Sequence, residues 1–315
     1  MPYNTLIQRA DVAARIPTVI SNRMLTSLQD SSAALALGTR IPLPAGAQTF
    51  PVLSALPQAY WVNGDTGMKQ TTTMAWDKKT ITVEELAAIV PVPDNVYDDA
   101  DFDIWESVRP ALETAIQRTI DQAVFFGTNK PASFPSGVAV AAQALVPPNA
   151  VVEGTADDTA GGVARDISDL FALLEGQGFS VDGVIGNARL KAVFRNMGIV
   201  PAQLQAGGGI TADNWYGAAV RYPMRGLWPT GAGAVSAIAG DFTQMVVGIR
   251  HDFRYKMITE GVISDDAGKV IFNLPQQDMT ALRITFRMGW QVANPINWDQ
   301  PDPTKRYPFG VLKAA

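Results

Sequence analysis

The sequence predicts an α+β chain, and three observations carry that reading. One long helical run occupies residues 99–128, paired strand signals fill 49–97, and a helix–strand–helix unit starts near residue 163. A β-rich return closes the order.

The helical run reads DADFDIWESVRPALETAIQRTIDQAVFFGT. Ile104, Val108, Leu112, Ala115, Ile116, Ile120, Ala123 and Val124 recur at spacings of three and four and share one helix face. Asp103 is placed to cap the start, with Glu106 at the capping-box position, and Gly127 to supply a left-handed end. At 1.5 Å per residue, Ile104 to Phe126 makes a rod of roughly 34 Å. Pro110 removes one backbone hydrogen bond, which predicts a bend or two abutting helices.

Before the rod, residues 49–97 carry strand signals on both sides of the turn cluster NGDTG. Two strands of up to ~18 residues would project roughly 60 Å. A lone ribbon of that length is not stable in water. Its polar tip is flanked by Tyr60, Trp61 and Trp76, so either its own domain or neighbouring molecules must cover it. Residues 1–48 offer a short helix after Pro17 with Ile20, Met24 and Leu28 on one face, then an extended Pro-punctuated piece, and read as an arm that packs on something else.

After the rod comes a Pro/Gly/Ala-rich connection and then the compact unit. Val163, Ile167, Leu170, Phe171 and Leu174 form one helical stripe, VDGVIG is a buried strand, and Asn187 caps a second helix. In LRITFRMGWQV the apolar set Leu282, Ile284, Phe286, Met288, Trp290 and Val292 alternates, so one face is buried. The segment VGIRHDFRYKM alternates too, and is expected to bury Val247, Ile249, Phe253, Tyr255 and Met257.

Composition narrows the function. The 315 residues suffice for one large or two modest domains, and the absence of cysteine excludes disulfides and thiolate metal sites. A net charge of −5 argues against a general nucleic-acid binder. Charged residues are 17% of the chain, against roughly 25% in ordinary domains, which leaves surface for other copies to cover. With no signal-peptide core and no long apolar run, the expectation is a soluble protein made and kept in the cytosol.

The order of arm, ribbon, rod, α/β unit and β-rich return resembles the major capsid proteins of tailed bacteriophages, with the Hong Kong 97-type fold. The stretch from PVLSALPQAYWVNGDTG to QRTIDQAVFFGT is similar to the family's extended loop running into its spine helix. GDFTQMVVGIRHDFRYKMITEG is similar to the strands leading back to its peripheral domain. The resemblance implies an N-terminal arm at 1–48, an extended β-hairpin loop at 49–97, and the spine helix with the first part of a peripheral domain at 98–164. It further implies an axial domain at 165–240 and a β-rich return at 241–315.

The function it implies is a major capsid protein whose hexamers and pentamers close into an icosahedral shell around the double-stranded DNA of a tailed phage or prophage. Assembly would take place in the bacterial host cytoplasm. Tyr60, Trp61, Lys69 and Trp76 on the extended loop, and Arg9, Arg15, Ile20 and Met24 on the arm, would contact neighbouring subunits. Gly207, Gly208 and Gly209 would lie in a loop near the capsomer centre. Some relatives begin with a cleaved scaffolding segment; this chain opens on the arm, so the expectation is that scaffolding comes from a separate protein or has been lost, with a separate scaffolding protein and a portal as the expected partners. The mildly basic arm would touch packaged DNA non-specifically. Certain relatives also join a lysine to an asparagine, which makes Lys69 with Asn294 or Asn297 a candidate isopeptide pair.

Catalytic and cofactor chemistry has few candidates. His251 is the single histidine and falls on the apolar register of its strand, so it reads as a structural imidazole. The acids Asp99, Asp101 and Asp103 imitate a calcium loop, but Ile104 and Pro110 occupy its glycine and glutamate positions. GGGITA fits a relaxed dinucleotide pattern without a preceding strand, and reads as a loop. No enzyme activity, cofactor, metal or membrane partner is expected. The alternatives are an encapsulin-type compartment with the same fold, an α+β enzyme, and a tail-tube component.

Overall fold

The computed structural model describes residues 32–62, 68–100, 104–156, 162–196, 210–211, 213–223, 226–265 and 267–314. Arg9, Arg15, Ile20, Met24, Asp103, Gly207, Gly208 and Gly209 lie outside the described residues, as does the NGDTG tip at 63–67. In chain order the elements are α1 (Ala33–Leu37), β1 (Thr39–Pro42), β2 (Ala47–Ala55), β3 (Ala75–Thr82), β4 (Glu84–Pro93), α2 (Asp94–Asp98) and α3 (Ile104–Asp121). A π turn (Gln122–Phe126) leads to α4 (Val138–Gln143), β5 (Ala150–Val152), α5 (Gly162–Glu175), β6 (Gly183–Gly186) and α6 (Arg189–Asn196). Then follow β7 (Asn214–Trp215), β8 (Ala218–Arg221), β9 (Val235–Gly240), β10 (Met245–Ile258), β11 (Val262–Ser264), β12 (Val270–Asn273), β13 (Met279–Val292) and β14 (Phe309–Lys313).

Two units divide these elements. Among the described residues the smaller holds Glu84–Gln117 and His251–Met288, and the larger holds Ser32–Val83, Arg118–Arg250 and Gly289 onward.

In the smaller unit β4 pairs antiparallel with β13 in an unbroken register from Met279↔Pro93 to Met288↔Glu84. The alternation read from the sequence holds: Leu282, Ile284, Phe286 and Met288 are buried. α3 supplies Ile104, Trp105, Leu112 and Ile116 to the interior. One α-helix runs through Pro110 instead of two abutting pieces. The second half of β10 departs from expectation, because Tyr255 and Met257 are exposed alongside Arg254 and Lys256. Tyr255 leans on α3 instead, donating its hydroxyl hydrogen to Glu113 while Arg109 sits 5.9 Å over its ring.

The larger unit is built on a six-stranded sheet in the order β5-β14-β9-β6-β8-β7. β6 and β9 are buried along their whole lengths, so they read as apolar runs without alternation. The expected stripe of α5 packs on this sheet, with Ile167, Leu170 and Leu174 fully buried. Asn187 takes its predicted place, its side-chain oxygen accepting the Arg189 N–H at 3.0 Å before α6. Phe194 meets the buried Trp215 edge to face at 5.6 Å. Gly127 adopts φ 67° at the end of the π turn and returns its N–H to Ala123 and Gln122 carbonyls, the left-handed end that the sequence predicts.

Residues from Ser32 onward group with this body. β1 pairs in parallel with the start of β10, from Thr39↔Val246 to Pro42↔Ile249. The N-terminus of α1 is held by Asp121, which is 5% exposed at the end of α3. Its carboxylate accepts from Ser32 Oγ at 2.5 Å and from the Ala33 and Ala34 N–H groups at 3.0 Å each. A carboxylate at a helix N-terminus satisfies donors that have no intrahelical partner and opposes the helix dipole.

Two stability outcomes follow from this geometry. Asp121→Ala strands two buried N–H groups and a hydroxyl, and is expected to cost about 3 kcal/mol in chemical denaturation, with Asp121→Asn losing less. Gly289 of β13 has room for no side chain, since a Cβ there would sit 2.2 Å from the Thr82 carbonyl oxygen at the end of β3. Gly289→Ala is expected to lower the unfolding midpoint by the equivalent of about 2 kcal/mol, because a backbone atom must move.

Candidate subunit-contact surface

The ribbon is formed by β2 and β3, paired antiparallel from Ala47↔Thr82 to Ala55↔Ala75. Its root is apolar and covered: Leu43, Ile81 and Val83 are buried, with Ile41, Phe50 and Val246 packed against them. Toward the tip the described residues are mostly exposed. The paired strands are shorter than the sequence predicts, at 9 and 8 residues. Pro57 has no N–H to offer a ladder, and the register already shifts between Leu53 and Ala55. Beyond that shift the two limbs stay together through single contacts such as the Gln58 N–H donating to Thr72 Oγ1 at 2.8 Å. The other expected strand segment, β4, belongs to the smaller unit.

Tyr60, Trp61, Lys69 and Trp76 are all exposed on the ribbon. Trp61 is fully exposed at 103% and Met68 nearly so at 93%, with Val62 and Met74 beside them. The methionines were not singled out in the sequence, although MK and TMAW place them in polar surroundings where an apolar residue stands out. Tyr60 donates to Gln58 Oε1 at 3.0 Å, and no contact joins the four expected residues into a pocket. Each apolar side chain moved from water into a packed contact contributes about 2–3 kcal/mol before ordering costs. Trp298, which the sequence reading did not single out, is also exposed, in the loop between β13 and β14.

The two asparagines of the candidate isopeptide pair lie in that same loop. Asn294 Nδ2 donates to the Arg306 carbonyl at 3.1 Å, and Asn297 Nδ2 to the Gln177 carbonyl at 2.6 Å.

Titratable groups with shifted equilibria are dispersed and structural. Burial raises Asp182, opposed by the Phe242 N–H it accepts at 2.8 Å. Burial also raises Tyr216, and pushes Tyr222 up to about 12. Burial raises the Tyr307 hydroxyl and lowers Arg306. Asp302 is lowered first by the hydrogen bonds from Thr304. Asp182 and Asp241 are near enough to repel, but Asp241 is committed to the Thr243 N–H at the start of a 3-10 turn. Among the described residues no three acidic or histidine side chains are placed to share a metal ion, and no helix is long and apolar enough to cross a membrane.

Comparison with known proteins agrees with this picture of surface in place of pocket. The family model described as the phage capsid family matches residues 13–198. A solved chain from Microbacterium phage Oxtober96 is 32% identical, superposes with a TM-score of 0.80, and is covered over 99% of this chain and 100% of its own length. A chain from Mycobacterium phage Adephagia shares the fold at 24% identity and a TM-score of 0.79, with 99% of each chain covered. The structure titled "Capsid of native GTA particle computed with C5 symmetry" shares it at 17% identity and a TM-score of 0.66, again over 99% of each chain. No curated protein matches this chain. The encapsulin-type alternative is not favoured by these likenesses. The chain belongs to the phage capsid family, as a subunit of a virion capsid shell with a Hong Kong 97-type α+β fold.

Proposed function

We propose that the shell is icosahedral, is assembled from hexamers and pentamers of this chain in the bacterial host cytoplasm, and encloses double-stranded DNA. The observation that carries the reading is the ribbon, on which Trp61 and Met68 are almost wholly exposed and Trp76 is 61% exposed among the described residues. Surface of this kind is expensive to leave in water, and marks an interaction site. Tyr60, Trp61, Lys69 and Trp76 are its proposed contacts with neighbouring subunits, joined by Arg9, Arg15, Ile20 and Met24 of the arm. The six-stranded sheet with α5 and α6 corresponds to the proposed axial domain, with Gly207, Gly208 and Gly209 near the capsomer centre. The β4–β13 pair with α3 corresponds to the peripheral domain. A separate scaffolding protein and a portal complete the set of partners, and packaged DNA is touched through non-specific phosphate contacts. The chain's role is structural, without catalysis.

We further propose that subunits associate without a covalent link. Joining Lys69 to Asn294 or Asn297 would expel a carboxamide nitrogen that now donates to a backbone carbonyl.

Electron microscopy of the purified protein is expected to show closed icosahedral particles; their absence under all assembly conditions would overturn the reading. Trp61→Ala should change subunit stability by less than about 0.5 kcal/mol, because the side chain is fully exposed. The same substitution should raise the critical concentration for assembly about tenfold, measured by light scattering. Denaturing gels of assembled shells should give monomer-sized bands only.

A further inference from the structure

The loop between β13 and β14 is irregular, yet it is fixed with unusual force. Arg306 is 4% exposed. Its guanidinium donates through Nε to the Pro295 carbonyl at 3.0 Å and through Nη1 to the carbonyls of Pro301 at 2.5 Å and Gln300 at 3.3 Å. Nη2 reaches the Asn294 carbonyl at 3.4 Å. No ion pair neutralises it among the described residues. Burying a cation is costly unless its hydrogens find well-placed acceptors, and here every acceptor is loop backbone.

Further ties close the frame. Asn297 Oδ1 accepts the Gln300 N–H at 2.8 Å, and Gln177 Oε1 accepts the Tyr307 N–H at 3.0 Å. Within the stretch held by this frame, Trp298 stands out as 65% exposed. An indole whose backbone is already ordered loses little freedom on docking, which is the property of an interface anchor.

The direction of this anchor is set by a neighbour. Two residues before Trp298, the Ile296 N–H donates to the Leu53 carbonyl of β2 at 3.1 Å. Leu53 is the register partner of Trp76 on β3. β2 therefore has a tryptophan-bearing strand on one side and a tryptophan-bearing loop on the other.

We propose that Trp298 is a docking anchor for a second copy of this chain, on a loop continuous with the ribbon surface. The occupant is a second copy because the chain is a shell subunit, and because the backbone bond from Ile296 to Leu53 makes the loop an extension of the ribbon. The inference rests on the reading of the ribbon as a subunit contact, and its test separates the two.

Hydroxyl-radical footprinting of the wild-type protein, free and in shells assembled from the purified chain alone, reads the oxidation of Trp61, Trp76 and Trp298 in one sample. Trp298 oxidation is expected to fall to the level of a buried residue on assembly. Trp298→Ala is expected to raise the critical concentration for assembly about tenfold at an unchanged thermal midpoint. Protection of Trp61 and Trp76 with Trp298 still oxidised overturns the anchor and leaves the ribbon reading standing. Oxidation of all three in shells overturns both. Assembly of Trp298→Ala at the wild-type concentration overturns the anchor, as does the finding that Trp298 becomes protected only when a scaffolding or decorating protein is added.

Discussion

A two-stranded ribbon can make its ladder without covering its side chains: beyond its covered root this one leaves Trp61, Met68 and Trp76 exposed. The ladder between β2 and β3 holds up to the shift between Leu53 and Ala55, and those side chains remain exposed all the same. This imbalance organises the larger unit. The body is a self-sufficient α/β layer with a fully buried sheet centre, and the limb it carries is not self-sufficient. The body therefore has to hold the root of the limb firmly while leaving the rest bare.

It does so with close backbone approach and buried polar groups more than with bulk. Gly289 lets the Thr82 carbonyl come within a distance that any side chain would forbid. Asp121 pins α1, which leads into β1, and β1 lies beside β10. Arg306 and Asn149 play the same part in the irregular stretches. Asn149 is buried and donates to the carbonyls of Tyr307 and Phe309 and to Gln177 Oε1. In each case one polar side chain gathers several backbone groups that no regular ladder serves.

Periodicity made much of this visible beforehand. The stripe of α3 apart from the exposed Ala115, the alternation of β13, the stripe of α5, the buried β6 and the left-handed end at Gly127 follow from the local sequence pattern, because each depends on near neighbours along the chain. The misreadings fall where burial is decided by distant residues. Tyr255 and Met257 keep the strand period but are not covered, since periodicity reports what a strand can bury and not whether a layer reaches it. The strand at residues 84–93 reads in the sequence as a continuation of the ribbon, because its partner, β13, lies nearly two hundred residues on. Trp76 and Trp61 were legible as aromatic residues in a polar hairpin. Trp298 was not, because its importance comes from Arg306, whose four carbonyl acceptors no spacing rule foretells.

The sheet order has a kinetic consequence. β14 lies between β5 and β9, and the Asn149 side chain that bonds the Phe309 carbonyl is 160 residues away along the chain. Pairings of such separation form late, in milliseconds to seconds, whereas a local hairpin closes in about 1–10 microseconds. The ribbon can thus zip up long before the body that carries it is complete. Each newly made subunit passes through an interval in which it is adhesive but not yet shaped, and whatever shields the hairpin during that interval governs how much of the protein reaches a shell instead of an aggregate.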